Sequence, residues 1–268
     1  MPRGARARRL GLASLAALAL GGAGFGLVHG WRGLRTSDAL RVRAIAFEGL
    51  ARATPDELLA LSPAKRGDPI LFVDVAAVEA ALSRHPWVKR VEVRRTLGRA
   101  LRVTVEERTP AALVDLGGLY LVDDGGDVFK RAAAGDGLDL PLVTGLARVD
   151  WVQRRAAAEP LLAGALALAR SWARRGGPAR LSEIHVDPGD GVTLYVGDDG
   201  TEVRLGAGDY EAKLARLQKM LSVLGAEGKT AEVLHLENRL HPNWVTVRLA
   251  GAGAAQAKVE GGRGPRGP

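Results

Sequence analysis

The chain has 268 residues and no cysteine. That excludes disulfide staples, thiolate metal sites and cysteine nucleophiles, so each domain must rest on an ordinary apolar core. Aromatic residues are scarce, at 4% of the chain, and no basic run interleaved with aromatics offers the stacking platform of RNA- and DNA-binding modules. The five histidines are scattered, and His185-x-Asp187 has no third ligand at metal spacing. Asp123-Asp124-Gly125-Gly126-Asp127 lacks the alternate spacing and closing Glu of a calcium loop. Gly225-Ala226-Glu227-Gly228-Lys229-Thr230 imitates the end of a P-loop, but Val223 stands where the first Gly is required, and the run follows a helix instead of opening one. No Gly-x-Ser-x-Gly elbow occurs. The sequence therefore shows no catalytic seat and no cofactor, metal or small-molecule site. An enzyme whose site is built from ordinary Asp and Glu residues is the one catalytic reading left open.

Charge is abundant but unevenly placed. The net charge is +8, yet residues 1–35 hold six Arg and no acid, and residues 251–268 hold Lys258, Arg263 and Arg266 against Glu260. The body between them is neutral, which lacks the basic surface that phosphate backbones require, so no nucleic-acid partner is expected. Hydrophobic residues make up 47% of the chain, enough for two modest domains. After Arg3, Arg6, Arg8 and Arg9 comes an uncharged run of 19 residues, Leu10 to Val28. As a helix it would reach about 28 Å, against a hydrocarbon core of about 30 Å. The expectation is a transmembrane anchor at 10–28 behind a cytoplasmic tail at 1–9, with the rest exported by the positive-inside rule. The alternative is a cleaved signal peptide, for which Ala17-Leu18-Ala19 offers a small-x-small site.

Between residues 41 and 110 the pattern reads β-α-α-β-β. Ile45 and Phe47 alternate with Ala44, Ala46 and Glu48 as in a half-buried strand, and Gly49 ends the run. Thr54-Pro55-Asp56-Glu57 combines a capping Thr, Pro at the first helical position and Glu three residues after the cap. Asp74 can cap a second helix carrying Val75, Val78 and Leu82, which His85-Pro86 ends. Val91 and Val93, then Leu101, Val103 and Val105, alternate with polar residues on two strands joined around Leu97-Gly98.

From 111 to 250 the pattern predicts a mixed, mostly antiparallel β domain with covering helices, so the fold class is α+β. Strands are expected at Leu119 to Val122, Val128 to Arg131, Leu140 to Thr144, Ile184 to Val186, Val192 to Val196, Thr201 to Leu205, Val233 to Leu236 and Val245 to Leu249. One helix carries Leu161, Leu162, Ala165, Leu168, Ala169 and Trp172. A second carries Leu214, Leu217, Leu221 and Leu224, with Asp209 as its expected cap. Residues 251–268, rich in Gly, Ala, Pro and Arg, are expected to be disordered.

The first module, with Phe47-Glu48-Gly49-Leu50 closing its first strand and His85-Pro86-Trp87-Val88 leading into its second, resembles a POTRA domain. The second domain carries Gly200-Thr201-Glu202-Val203-Arg204-Leu205-Gly206, then Tyr210-Glu211-Ala212-Lys213-Leu214, and later Glu232-Val233-Leu234-His235-Leu236. These segments resemble the FtsQ/DivIB family of bacterial cell-division proteins. The resemblance implies a non-enzymatic, single-pass scaffold of the inner membrane at the division septum. It implies binding of FtsB and FtsL homologues by strand-edge pairing, and a part in regulating septal peptidoglycan synthesis. The edge it points to runs through His241, Asn243, Trp244, Val245, Thr246, Val247 and Arg248, with Pro242 marking where pairing stops. Leu240-His241 departs from the Arg-aromatic pair usual there. Trp244 is either an interface anchor or core packing against the second helix. A second implied edge lies at Val91 and Val93, against which stands the reading of two inward valines behind a solvated basic face. The competing assignment is a POTRA-containing export or outer-membrane assembly factor with a cleaved signal peptide.

Overall fold

A computed structural model describes residues 22, 25, 26, 29, 31, 33, 37–176, 179–237, 244–251 and 257–258. Gly22, Phe25, Gly26, His29, Trp31 and Gly33 are helical. Among the described residues no helix is long and apolar enough to cross a membrane. Most of the expected anchor at 10–28 lies outside them. The chain divides into two compact units, Met1–Arg108 and Thr109–Pro268.

In the first unit, strand β1 (Ala44–Glu48) is followed by helices α1 (Pro55–Leu61) and α2 (Val75–Leu82), then strands β2 (Val88–Arg95) and β3 (Ala100–Glu107). The sheet order is β1-β3-β2, with β1 parallel and β2 antiparallel to β3. The two helices make the crossover that a parallel β1–β3 pair demands. Both expected caps form: Thr54 and Glu57 make a reciprocal capping box, and the Asp74 carboxylate accepts the Ala77 amide at 3.1 Å. Leu58, Val78 and Leu82 are buried with Leu101, Val103 and Val105, while Arg102, Thr104 and Glu106 face outward. At the end of β3, the Glu107 carboxylate accepts the amides of Ala51, Arg52 and Ala53 and clasps the β1–α1 loop. Gly49 is required in that loop: its φ is +84°, and a Cβ there would stand 2.1 Å from the Val105 carbonyl oxygen.

The second unit contains β4 (Pro110–Asp115), β5 (Leu119–Asp123), β6 (Val128–Arg131), β7 (Leu142–Thr144), α3 (Arg148–Gln153), α4 (Arg155–Arg174), β8 (Leu181–Asp187), β9 (Gly191–Val196) and β10 (Thr201–Gly206). It continues with α5 (Tyr210–Ala226), β11 (Ala231–His235), β12 (Thr246–Leu249) and β13 (Ala257–Lys258). All ten strands join one sheet in the order β13-β12-β11-β10-β9-β8-β7-β4-β5-β6. Pairing is parallel at β4–β7, β7–β8 and β10–β11 and antiparallel elsewhere. Helices α3 and α4 carry the β7–β8 crossover and α5 the β10–β11 crossover. The core lies on one face of the sheet. There Leu162, Ala165, Leu166 and Trp172 of α4 and Leu214, Leu217 and Leu224 of α5 pack on Val143, Ile184, Leu194, Val203, Leu205, Leu234 and Val247.

Two details differ from expectation. Asp209 does not cap α5 with its side chain: its φ of +47° is left-handed, and the carboxylate makes no capping hydrogen bond. The passage from β10 to α5 is held instead by buried Lys213, whose Nζ donates to the carbonyls of Leu205 and Ala207, each at 2.7 Å. At the edge of the sheet, Ala257 and Lys258 form a strand inside the segment expected to be disordered. Main-chain pairing needs no apolar side chain, so composition does not exclude it.

Candidate partner-binding edge and polar sheet face

β12 is short, and its residues split by face. Val245 and Val247 are buried, while Thr246 and Arg248 are exposed on the opposite side. This alternation comes from pairing with β11, which sets Val247 against Leu234, Thr246 against His235 and Arg248 against Val233. Arg248 also donates to Glu232 at 3.0 Å across the two strands. Trp244, just before the strand, is half-buried. His241 and Asn243 lie outside the described residues. On its outer side β12 is met over two positions, Thr246 against Lys258 and Val247 against Ala257. Val245 and Val247 therefore belong to the core alternation, and Thr246 and Arg248 face away from it.

The same register carries across the sheet. On the face without helices, Thr144, His185, Thr193, Arg204, His235 and Thr246 stand side by side on six successive strands. Two residues along, Leu142, Glu183, Tyr195, Glu202, Val233 and Arg248 form a second row. Such cross-strand neighbours have their Cβ atoms about 5 Å apart, so their side chains interact. Thr144 donates its one hydroxyl proton to Glu183 at 2.5 Å and contacts His185 Nδ1 at 2.8 Å. With that proton spent, Nδ1 is the donor in the second contact, which fixes the His185 tautomer. Burial pushes the Tyr195 hydroxyl pKa up, helped by Glu202 and Glu183. Burial, then the neighbouring Arg204 charge, holds His235 below the ordinary histidine value.

A cleft of about 600 Å³ opens on this face, lined among others by His185, Asp187, Tyr195, Glu202, Arg204 and His235. Its lining carries four carboxylates, Asp187, Asp190, Glu202 and Glu237, and one guanidinium, Arg204, which is paired with Glu202 at 2.5 Å. Asp187 is kept below the usual carboxylate range by the Asp190 and Gly189 amides, so it holds its charge. The cleft is thus acidic and polar. Among the described residues no group of three or more His, Asp or Glu is placed to hold a metal ion. Sequence patterning alone misses this face, because its rows exist only through long-range register.

The second expected edge behaves differently. β2 lies at the end of its sheet, but Val93 is buried and its amide donates to Glu79 Oε1 of α2 at 2.8 Å. Arg95 reaches across the same side to the carbonyls of Ile70 and Val73, at 3.0 and 2.6 Å. A strand cannot pair with β2 at Val93 without displacing Glu79. Val91 is half-buried beside it.

A β-α-α-β-β module followed by a helix-backed sheet defines a class of proteins built from a POTRA domain and a β domain. Comparison with known proteins agrees. Residues 40–108 match the POTRA domain, FtsQ-type, and residues 112–238 match the cell division protein FtsQ/DivIB, C-terminal. The chain is 60% identical over 250 residues to the cell division protein FtsQ of Anaeromyxobacter sp., covering 92% of this chain and 84% of that one. It is 44% identical over 230 residues to FtsQ of Myxococcus fulvus, covering 84% and 80%. With FtsQ of Geobacter sp. it shares 36% over 219 residues, covering 81% and 80%. The chain belongs to the FtsQ family of cell division proteins. This does not favour the export or outer-membrane assembly alternative.

Proposed function

We propose that this protein is a non-enzymatic scaffold of the divisome, held in the inner membrane by a single anchor at 10–28, with its two folded units outside the cytoplasm at the septum. It binds FtsB- and FtsL-type partners, and through them helps regulate septal peptidoglycan synthesis. The partner contributes an extended segment that pairs with the outer side of β12. The supporting observation is that β12 sits beside the end of the sheet, joined there among the described residues by Ala257 and Lys258, with Thr246 and Arg248 facing out in alternation with inward Val245 and Val247. Main-chain pairing supplies affinity in such an interface, and alternate side chains select the register.

The test is a pull-down from crosslinked cells with the tagged full-length protein, beside Trp244→Ala and Thr246→Pro. FtsB and FtsL homologues should be recovered with the parent. Thr246→Pro should lose them at least tenfold, because proline disrupts the pairing backbone. Trp244→Ala should weaken recovery while the circular dichroism spectrum stays unchanged; an unfolded Trp244→Ala protein would assign Trp244 to the core instead. Full recovery with a folded Thr246→Pro protein would reject β12 as the interface.

A further inference from the structure

We infer that the end of the first unit at which β1 begins is a membrane-docking surface: Trp31, Leu71 and Leu97 enter the headgroup layer of the outer leaflet, and Lys65 and Arg66 meet anionic phosphates there. This rests on the reading of residues 10–28 as an anchor. The first observation is that segments distant in sequence are tied together at this end. The Val42 amide donates to the Asp68 carbonyl at 2.8 Å and its carbonyl accepts the Gly67 amide at 2.9 Å, next to a main-chain bridge between Arg41 and Pro69. The β2–β3 turn reaches the same place. The Arg43 amide donates to the Arg99 carbonyl at 2.8 Å, and the Arg99 guanidinium donates to the Asp38 carbonyl at 3.0 Å. Both loops carry leucines to the surface: Leu97 is fully exposed and Leu71 is 54% exposed. Neither serves its turn, where Gly, Asn, Asp and Ser have the conformational reason to stand. A single exposed leucine is ordinary, but these two share one end of the unit with Trp31, itself 55% exposed.

The second observation is where this end lies along the chain. The uncharged run closes at Val28, so Trp31, three residues on, is at most about 10 Å from its end. The Trp31 ring meets Phe72 edge-on with centroids 5.0 Å apart, which sets the Leu71 turn beside the point where the anchor leaves the hydrocarbon. The Ser37 amide donates to the Gly33 carbonyl at 3.0 Å, so helical Gly33 is bonded directly to the start of the unit. Each headgroup layer is about 5–8 Å deep, and tryptophan favours it because its ring is amphipathic. The charge also fits. Lys65 and Arg66 are exposed in the loop that leads to Leu71, and Arg43 is exposed beside Arg99. The acids near them are engaged: Asp38 pairs with Arg41 at 2.7 Å, and the Asp68 carboxylate accepts the Lys65 amide at 2.7 Å. A positive surface with apolar tips is the complement of an anionic phospholipid leaflet. The anchor holds the unit at high local concentration, so weak contacts suffice to seat it.

The chain has no cysteine, so introduced cysteines can be labelled singly. The full-length protein is inserted, folded units outward, in vesicles of phosphatidylglycerol and phosphatidylcholine, with a fluorophore on Leu71→Cys, on Leu97→Cys or, beyond the other end of β1, on Ala51→Cys. Quenchers attached to lipid near the headgroups should dim the labels at 71 and 97, and a water-soluble quencher should dim the label at 51. The double variant Lys65→Gln, Arg66→Gln should move the balance at position 97 toward water by roughly fivefold to thirtyfold, from about fivefold for each basic group at an anionic surface. Vesicles of phosphatidylcholine alone should move it the same way. If the labels at 71 and 97 are quenched from water as readily as that at 51, in protein that stays with the vesicles through alkaline carbonate, the docking is overturned and the anchor stands. Protein released by carbonate overturns the anchor and the docking with it. Lipid quenching at 97 that is equal on phosphatidylcholine alone and indifferent to the double variant overturns the anionic leaflet as the partner. Labels shielded from water only after another division protein is added would assign this end to a protein and overturn the inference.

Discussion

The two sheets of this chain end in opposite ways. At β2 the Val93 amide is taken by the Glu79 carboxylate, and the strand's own Arg95 ties it to the Ile70 and Val73 carbonyls. At β12 the main chain is met, among the described residues, by Ala257 and Lys258 of the tail. A buried valine and a charge-assisted hydrogen bond make a durable stop, whereas main-chain pairing at an edge can be exchanged for another strand. An edge position in the strand order is therefore not enough to name an interface. What already occupies the amides decides whether a strand can enter.

Three measurements sharpen or break that contrast. The largest effect is expected from Lys213→Met, which keeps the buried stem but leaves the Leu205 and Ala207 carbonyls without their donor beside the β10–β11 junction. Two unsatisfied carbonyls cost about 2–4 kcal/mol, read from the denaturant midpoint of the second unit, and partner binding should fall with it. An unchanged midpoint would mean that Lys213 does not brace this end of the sheet. Next, Glu79→Ala should destabilise the first unit by about 1–3 kcal/mol and promote concentration-dependent association through β2, whereas Glu79→Gln, which keeps an acceptor, should do neither. If the Ala variant stays monomeric under sedimentation, β2 is protected by something other than Glu79. The smallest effect concerns His235. Its pKa is lowered in the folded state by burial and then by Arg204, so the unfolded chain takes up the proton first as pH falls. Stability should drop as pH is lowered through about 6.5, the ordinary histidine value, and His235→Gln should flatten that drop. A slope equal to the parent's would place the titration elsewhere.

Much of the first unit was legible because its signals are local. Thr54 and Glu57 are three residues apart and cap each other wherever a helix begins, and the alternation of Leu101, Val103 and Val105 needs no distant information. The errors also have local causes. Asp209 is a good cap by type, but the left-handed turn after Gly206 and Gly208 carries its side chain away from the helix amides. β4 escaped notice because Pro110 opens it, although proline is tolerated at the first residue of a strand. The polar rows from Thr144 to Thr246 were not legible at all. Each member looks like an ordinary outward-facing residue until six strands are set in register. The tail strand escaped for a related reason, since Gly- and Ala-rich sequence has no alternation to read, and its partners are chosen by the backbone of β12.

The parallel junction at β10–β11 sets when β12 can join the sheet. β11 can lie beside β10 only after the 17 residues of α5 have crossed over the sheet, and β12 can pair only after β11. In the proposed reading of β12 as the partner edge, that edge exists only once α5 has crossed the sheet and β11 has paired, so a chain caught short of either step offers no strand to a partner.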